Sequence, residues 1–327
     1  MFFHCFHLAV KSLKAEACDS VVLDVKGFVN DRNIMIVAPM PLPMYKKAWD
    51  VYDATYRFMS QRQCPTLATV TAKLDASSNK QTLSSPVLRD ISVTVSTSPS
   101  LDAPVYRARL WDDDVLVHDL GDAAAAFFQQ IFNRDQHHMD VVAGTTDNKV
   151  RLVIQSPIDK RLTNDQYTPA SARTAWGLHA PPVSLCDGFP ILIACETSLD
   201  ELNRRIKSKG DKEALPMSRF RPNIVIKGTR EPFEEDRWKV ISIDGVLFHV
   251  VKGCPRCKQS CTDQNTGEVD DEPLATLSEF RAMTPHRHAD NVYFATNAIP
   301  AIGAAGKTIS LGAKVQVLQW GPPQWDE

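Results

Sequence analysis

The order of apolar and polar positions predicts a chain made mostly of short strands. Met1 to Val10 is largely apolar and reads as a buried first strand that runs into Lys11-Ser12-Leu13-Lys14. Ser20-Val21-Val22-Leu23-Asp24-Val25 and Ile34-Met35-Ile36-Val37 are further β runs, with Asn30-Asp31-Arg32-Asn33 as the turn before the second. Ile91 to Ser96 alternates at period two, and the polar stretch from Lys73 to Leu83 reads as a hairpin or loop. A helical period appears from Asp122 to about Phe132, where Phe127, Phe128, Ile131 and Phe132 share a face and Asp122 is placed to cap the start. It returns over 198–210. There Ser198 and Glu201 have capping-box spacing, Leu199, Leu202 and Ile206 face inward, and Gly210 ends the run. Strands follow at Asn223–Ile226, Trp238–Ile243 and Val246–Val251, with Asp244-Gly245 as a two-residue hairpin turn, and Lys314 to Leu318 supplies the last strand.

These elements predict a β-rich, mixed α/β molecule of two domains. A small β-barrel-like domain is expected over residues 1–100. A second domain takes 101–327, its core at about 150–320. The Pro/Ser-rich stretch from Thr97 to Pro104 is the expected boundary. Residues 155–185 carry Pro157, Pro169, Pro181 and Pro182 with little periodicity, which predicts a long surface excursion placed to act as a lid.

Composition narrows the function classes. At 327 residues, 43% apolar and 23% charged, the chain has the balance of a globular protein with room for two cores. Its 37 basic and 39 acidic residues leave a net charge of −2, which argues against a nucleic-acid scavenger or a polybasic membrane binder. No run reaches the ~20 apolar residues of a membrane span. The opening places its lysines after the apolar run, the reverse of a signal peptide, so no targeting segment is read there. Eight cysteines without such a leader fit a reducing, intracellular compartment, and the five scattered ones are expected to be small buried apolar groups.

The other three cysteines form the strongest local signal, Gly253-Cys254-Pro255-Arg256-Cys257 followed by Cys261. A zinc knuckle would require a second ligand pair, and none has matching spacing. A thioredoxin-like dithiol would open a helix, whereas the residues after Cys257 are polar and turn-like. A thiolate ligand to a soft metal is the third reading, with Arg256 near enough in sequence to favour the thiolate. Spacing alone leaves all three open. A second cluster, Arg219-Phe220-Arg221-Pro222-Asn223, has the guanidinium and amide donors that match phosphate oxygens. Lys11-Ser12 and Asp31-Arg32 are further polar positions at strand ends. His137-His138 and His286-Arg287-His288 lack the spacing of a helical metal pair and read as solvated loops.

The order of these motifs resembles the MOSC family, in the form that pairs an N-terminal β-barrel domain with a MOSC domain. The resemblance rests on Lys11-Ser12, Asp31-Arg32, Asp187-Gly188-Phe189-Pro190, Arg219 to Asn223, Glu235-Asp236-Arg237-Trp238, Cys254 to Cys257, Thr266-Gly267 and Glu272 to Leu277. The nearest functional types are the mitochondrial amidoxime-reducing component and the C-terminal domain of molybdenum cofactor sulfurase. The resemblance implies a molybdenum cofactor of the molybdopterin type, held by its pterin dithiolene and one protein thiolate. Cys257 would be that metal ligand and the catalytic thiolate. Pro255 and Arg256 would line the cofactor. Arg221 and Asn223 would hold the pterin and its phosphate, joined by Lys11, Ser12 and Arg32. Gly188 and Phe189 would give backbone contacts, and Cys254 is assigned no role.

The implied activity is an oxidoreductase that reduces N-hydroxylated small molecules, with electrons from an external donor of the cytochrome b5 and cytochrome b5 reductase type. The alternative is a cofactor carrier or sulfurase-like binding module without turnover. No pyridoxal-phosphate domain, haem or flavin motif is visible in the chain, and a cytoplasmic or mitochondria-associated setting is expected. Three departures stand out. Val10 replaces the family's proline before Lys-Ser, the stretch from Asn291 to Ala295 matches the usual Phe-Gly element only loosely, and the membrane anchor usual in the reductases is not seen.

Overall fold

The computed structural model describes residues 1–40, 55–75, 77–100, 102–135, 150–175, 180–210, 212–283 and 291–325. Both histidine pairs named above lie outside the described residues. Five strands close into a barrel in the order Val105–Leu110, Asp113–Asp119, Arg151–Gln155, Ile34–Pro39 and Tyr56–Met59. The last strand meets the first in parallel, Ala108 opposite Tyr56, and closure leaves no free edge. Ile34–Pro39 reads as an unbroken apolar run because both of its faces are covered. Met35 and Val37 join Val115, Val117 and Leu185 in one core cluster. Ile34 and Ile36 turn the other way, toward Phe127, Phe128, Ile131 and Phe132 of the Asp122–Arg134 helix.

The barrel takes strands from both sides of residues 97–104. That stretch is therefore a loop inside the barrel unit and not its edge; Pro and Ser mark a break in regular structure, and nothing in composition separates a loop from a boundary. The Lys73–Leu83 region is a hairpin between Thr71–Asp75 and Lys80–Ser84, extended by Ser92–Ser96.

The second unit is an eight-stranded sheet. Its order is Val315–Trp320, Trp238–Ile243, Val246–Arg256, Val292–Pro300, Ile191–Cys195, Ile224–Lys227, Phe2–His7 and Glu16–Cys18. The first strand of the chain thus belongs to this sheet and not to the barrel that follows it in sequence, with Phe3 opposite Ile226 and Cys5 opposite Ile224. Asp244 and Gly245 both adopt positive φ, 49° and 81°, as a twist-matched two-residue hairpin requires.

Several local expectations are corrected. Asp122 is the first helical residue after a Gly121 cap; it bonds Arg151 instead of the helix N–H groups. The second helix runs Glu196–Lys207 and has no capping box, because the Ser198 hydroxyl donates to Glu235 and Glu201 bridges Arg204 and Arg205. Residues 155–185 are not a surface excursion throughout: Tyr167 and Ala172 pack with Phe189, Val251 and Ile299, and Val183 to Cys186 are buried. Of the scattered cysteines, Cys5, Cys64, Cys186 and Cys195 are buried and Cys18 is half-buried; all are free thiols.

Candidate functional site

The chain crosses between the two units early. After the Phe2–His7 strand, Val10 bridges Ile34 and the Lys11 N–H bonds the Ile34 carbonyl at 2.8 Å, which sets Lys11 and Ser12 at the junction. From the barrel side Arg32 reaches back. Its guanidinium donates to Asp31 at 2.8 Å, to the Asn223 side-chain oxygen at 2.9 Å and to the Arg221 carbonyl at 3.0 Å. Arg221 and Asn223 sit where the Met217–Phe220 turn enters the Ile224–Lys227 strand, and Cys254 to Cys257 end the long Val246–Arg256 strand. The loop carrying Gly188 and Phe189 is pinned by Arg161, which donates to the carbonyls of Ser184, Cys186 and Asp187 at 2.8, 2.6 and 2.8 Å.

All ten residues named from the sequence line one cleft: Lys11, Ser12, Arg32, Gly188, Phe189, Arg221, Asn223, Pro255, Arg256 and Cys257. It holds about 710 Å³ of empty space out to its open mouth. Ser12, Arg32 and Arg221 all take left-handed backbone conformations, with φ of 70°, 46° and 56°. Each costs a non-glycine residue about 1–2 kcal/mol, and backbone strain of this kind collects at binding and active sites.

The cleft floor has more donors than acceptors. Arg221 is 7% exposed; one terminal nitrogen bonds the Leu13 carbonyl at 2.6 Å and Gln264 at 3.0 Å, and the other has no partner among the described residues. Burial, with the Arg32 charge beside it, pulls the Arg221 guanidinium down to about 9, which still leaves it charged at neutral pH. The Asn223 side-chain oxygen accepts from Leu192 N–H and Arg32, while its NH₂ lacks a partner among the described residues. Arg256 bonds the Phe220 carbonyl at 2.9 Å and the Cys254 sulfur at 3.1 Å, and its Nε is unpaired among the described residues. Each such buried donor costs about 1–3 kcal/mol. Together they fit an anion with several acceptor oxygens.

The rim satisfies itself. Lys11 donates to Asp187 at 2.5 Å, the Trp111 indole N–H donates to the same oxygen at 2.9 Å, and Lys11 also lies 5.2 Å from the Phe58 ring centre. Burial lowers the Lys11 ammonium from its ordinary value, and Asp187 opposes that shift. What Asp187 loses in solvation is outweighed by Lys11, the Trp111 donor and Arg32, so its carboxyl stays below the usual range. The Cys257 residue is exposed in the cleft, while burial pushes the neighbouring Cys254 thiol up against the pull of Arg256.

Sequence reading assigned no role to Asp187, Trp111, Gln61 or Gln264. Asp187 stood in a quoted motif and Gln264 in the Cys261-Thr262-Asp263-Gln264 continuation that looks sulfurase-like, but Gln61 had no signal. The two glutamine amides pair at 3.0 and 2.9 Å across 203 residues, and Gln61 also holds the Ser12 carbonyl at 2.9 Å. Arg219 turns away from the cleft to the Cys261 carbonyl, near Asp263 and Asp270, since the turn points its side chain opposite to that of Arg221. Gly253 packs closely under the Trp325 ring: a Cβ there would meet it at 2.3 Å, so the ring would have to shift. No helix among the described residues is long and apolar enough to cross a membrane.

Comparison with known proteins agrees with this two-part build. The model of the MOSC N-terminal beta barrel domain matches residues 4–135, and that of the MOSC domain matches 180–316. Molybdenum cofactor sulfurase of Aspergillus terreus is 27% identical over 84% of the chain, and that of Bos taurus 28% over 73%. Mitochondrial amidoxime reducing component 2 of Rattus norvegicus is 29% identical over 72% of the chain. The matches span 37%, 26% and 62% of those relatives' lengths, respectively. A β-rich molecule with a closed barrel, a motif-lined cleft at its junction with a second sheet, and both domain models in sequence order leads to one assignment: the chain belongs to the MOSC family.

Proposed function

We propose that the cleft binds a molybdopterin-type molybdenum cofactor and that the chain reduces N-hydroxylated small molecules. The reading rests on the donors of Arg221, Asn223 and Arg256 that have no partner among the described residues, beside the exposed Cys257. MOSC domains are associated with binding or sulfuration of this cofactor. The donor set fits it: guanidinium and amide groups suit a phosphate and a pterin edge, and a thiolate suits a soft metal. When bound, the cofactor supplies two-electron removal of oxygen from an N–O bond.

The chain's own part is to bind and orient. Cys257 offers its sulfur to the metal. Arg221 and Asn223 hold the pterin and phosphate from the sheet side, and Lys11, Ser12 and Arg32 from the junction. Pro255 and Arg256 wall the site, and Gly188 and Phe189 add backbone contacts. Phe220, which stacks on Phe294 at 3.9 Å, gives the cleft an apolar wall. Electrons come from an external donor of the cytochrome b5 type, and mitochondrial association belongs to the same proposal.

Molybdenum and pterin analysis of protein made in a cofactor-competent host tests the reading, with benzamidoxime reduction measured beside a cytochrome b5 donor. Near-stoichiometric metal and turnover are expected. Folded protein without metal or pterin overturns it. Metal and pterin without turnover support the second reading, a carrier or sulfurase-like module. The Aspergillus terreus sulfurase favours that second reading by matching 84% of the chain, against 72% for the Rattus norvegicus amidoxime reducing component.

A further inference from the structure

Away from the cleft, on the edge of the eight-stranded sheet, two thiols face each other. Cys5 and Cys18 are directly opposed on the antiparallel strands Phe2–His7 and Glu16–Cys18. The Cys18 thiol donates to the Cys5 sulfur at 3.2 Å, and the Cys5 thiol lies 2.7 Å from the Cys18 carbonyl. Opposed positions on paired strands put Cβ atoms about 4.5–5.5 Å apart, close to the spacing a disulfide spans. Bond formation therefore calls for side-chain rotation and a small approach of the two strands, with their pairing kept. The segment between them, residues 6–17, carries Lys11 and Ser12 into the cleft.

We infer that Cys5 and Cys18 form a peroxide-sensitive dithiol, whose disulfide closes a ring around the segment that carries Lys11 and Ser12. The Cys5 thiolate attacks one oxygen of hydrogen peroxide, the O–O bond breaks, and the departing hydroxide takes up a proton, giving a sulfenic acid and water. Cys18 then attacks that sulfur, forms the S–S bond and releases a second water. Two thiols lose two electrons in all and the peroxide gains them. The hydrogen bond from Cys18 favours the Cys5 thiolate over the opposing effects of burial and Asp19, and Cys18 itself is raised by the same contact. Cys5 is 2% exposed and Cys18 half-buried, so a small oxidant reaches the Cys5 sulfur by way of Cys18 at the sheet edge. Cys64 and Cys195 lack a thiol partner among the described residues: Cys64 donates to Asp135, and burial followed by Glu235 raises Cys195. This inference stands whether or not the cleft binds a cofactor.

The test is dose-controlled treatment of the folded, full chain with hydrogen peroxide, in a Cys257→Ser background that removes the exposed cleft thiol. Mass spectrometry after alkylation is expected to show a 2 Da loss mapped to a Cys5–Cys18 cross-link, reversed by dithiothreitol. Closing a short loop is expected to raise Tm by about 5 °C or more. Cys5→Ala and Cys18→Ser, each added separately, abolish both changes if folded. Should either variant fail to fold, the peptide map of the parent protein still decides. Cys5 and Cys18 staying alkylatable while Cys64 or Cys195 oxidises, or pairing with other cysteines, overturns the inference. So does a mapped cross-link without a rise in Tm.

Discussion

The floor and the rim of the cleft use the same residue types to opposite ends. On the rim, Lys11, Asp187 and Trp111 complete one another, so the charge there is already balanced. On the floor, Arg32, Arg221 and Arg256 line one cleft with Asn223, Asp31 is the carboxylate hydrogen-bonded to Arg32, and three donors are left over among the described residues. A buried cation without a partner destabilises a fold, whereas a paired one is close to neutral. The floor is therefore organised for something that arrives from outside, and the rim for holding the mouth in shape.

The largest expected effect concerns the one residue that belongs to neither balance. Cys257→Ser is expected to lower bound molybdenum at least tenfold, read by elemental analysis, with Tm moved by no more than about 1 °C because the residue is exposed. Retained metal would remove the thiolate from the site.

Next is the floor itself. Arg221→Met deletes a charged donor, and charge-assisted hydrogen bonds are worth about 1.5–3 kcal/mol, so affinity for the bound pterin or for inorganic phosphate should fall about 10- to 100-fold by calorimetry. The melting temperature should move little, since loss of the contacts to Leu13 and Gln264 is offset by relief of the buried charge. A large drop in Tm with unchanged affinity would make Arg221 a strut and erase the contrast between floor and rim.

The rim predicts the opposite sign and a smaller size. Asp187→Asn removes a negative charge and frees Lys11 to meet an incoming anion. Phosphate affinity is expected to rise by less than about tenfold, an effect that added salt should shrink. A fall in affinity would place Asp187 among the groups that bind the ligand directly.

The smallest effect on the cleft is expected from a buried acid elsewhere. Glu235 lies against Ser198 and is fully buried; burial first, then Asp236, raises it to about 7. Its folded pKa is above its unfolded value, so the folded state binds more protons between the two. Its contribution is present in acid and is lost as pH rises from about 4.5 toward 7. Glu235→Gln should flatten the decline in Tm between pH 5 and 8 while leaving phosphate affinity alone. An unchanged pH profile would show that Glu235 ionises normally.

How much of this could be read in advance varies by residue. The strands at Ile34 and Val246 and the hairpin at Asp244-Gly245 were legible because period and turn chemistry are local properties. The capping box at Ser198 was not, because its hydroxyl found a better partner 37 residues away in Glu235. Asp122 likewise went to Arg151. The domain boundary at 97–104 was misplaced because barrel closure joins Tyr56 to Ala108, and no local pattern reports which strand completes a ring. For the cleft, the motifs supplied residue identities, while the sequence alone held no account of Gln61 or Trp111 and gave Gln264 no place in the cleft.

The amino-acid sequence by itself determined which segments are strands, where the basic and thiol chemistry resides, and which family it resembles, since all three depend on residues close together along the chain. Only the tertiary structure decided that Lys11 and Arg32 meet Arg221 and Cys257, and that Cys5 faces Cys18. Those encounters follow from the first strand joining the far sheet and from the barrel shutting on itself, and both are settled by long-range burial of apolar faces that local pattern does not encode.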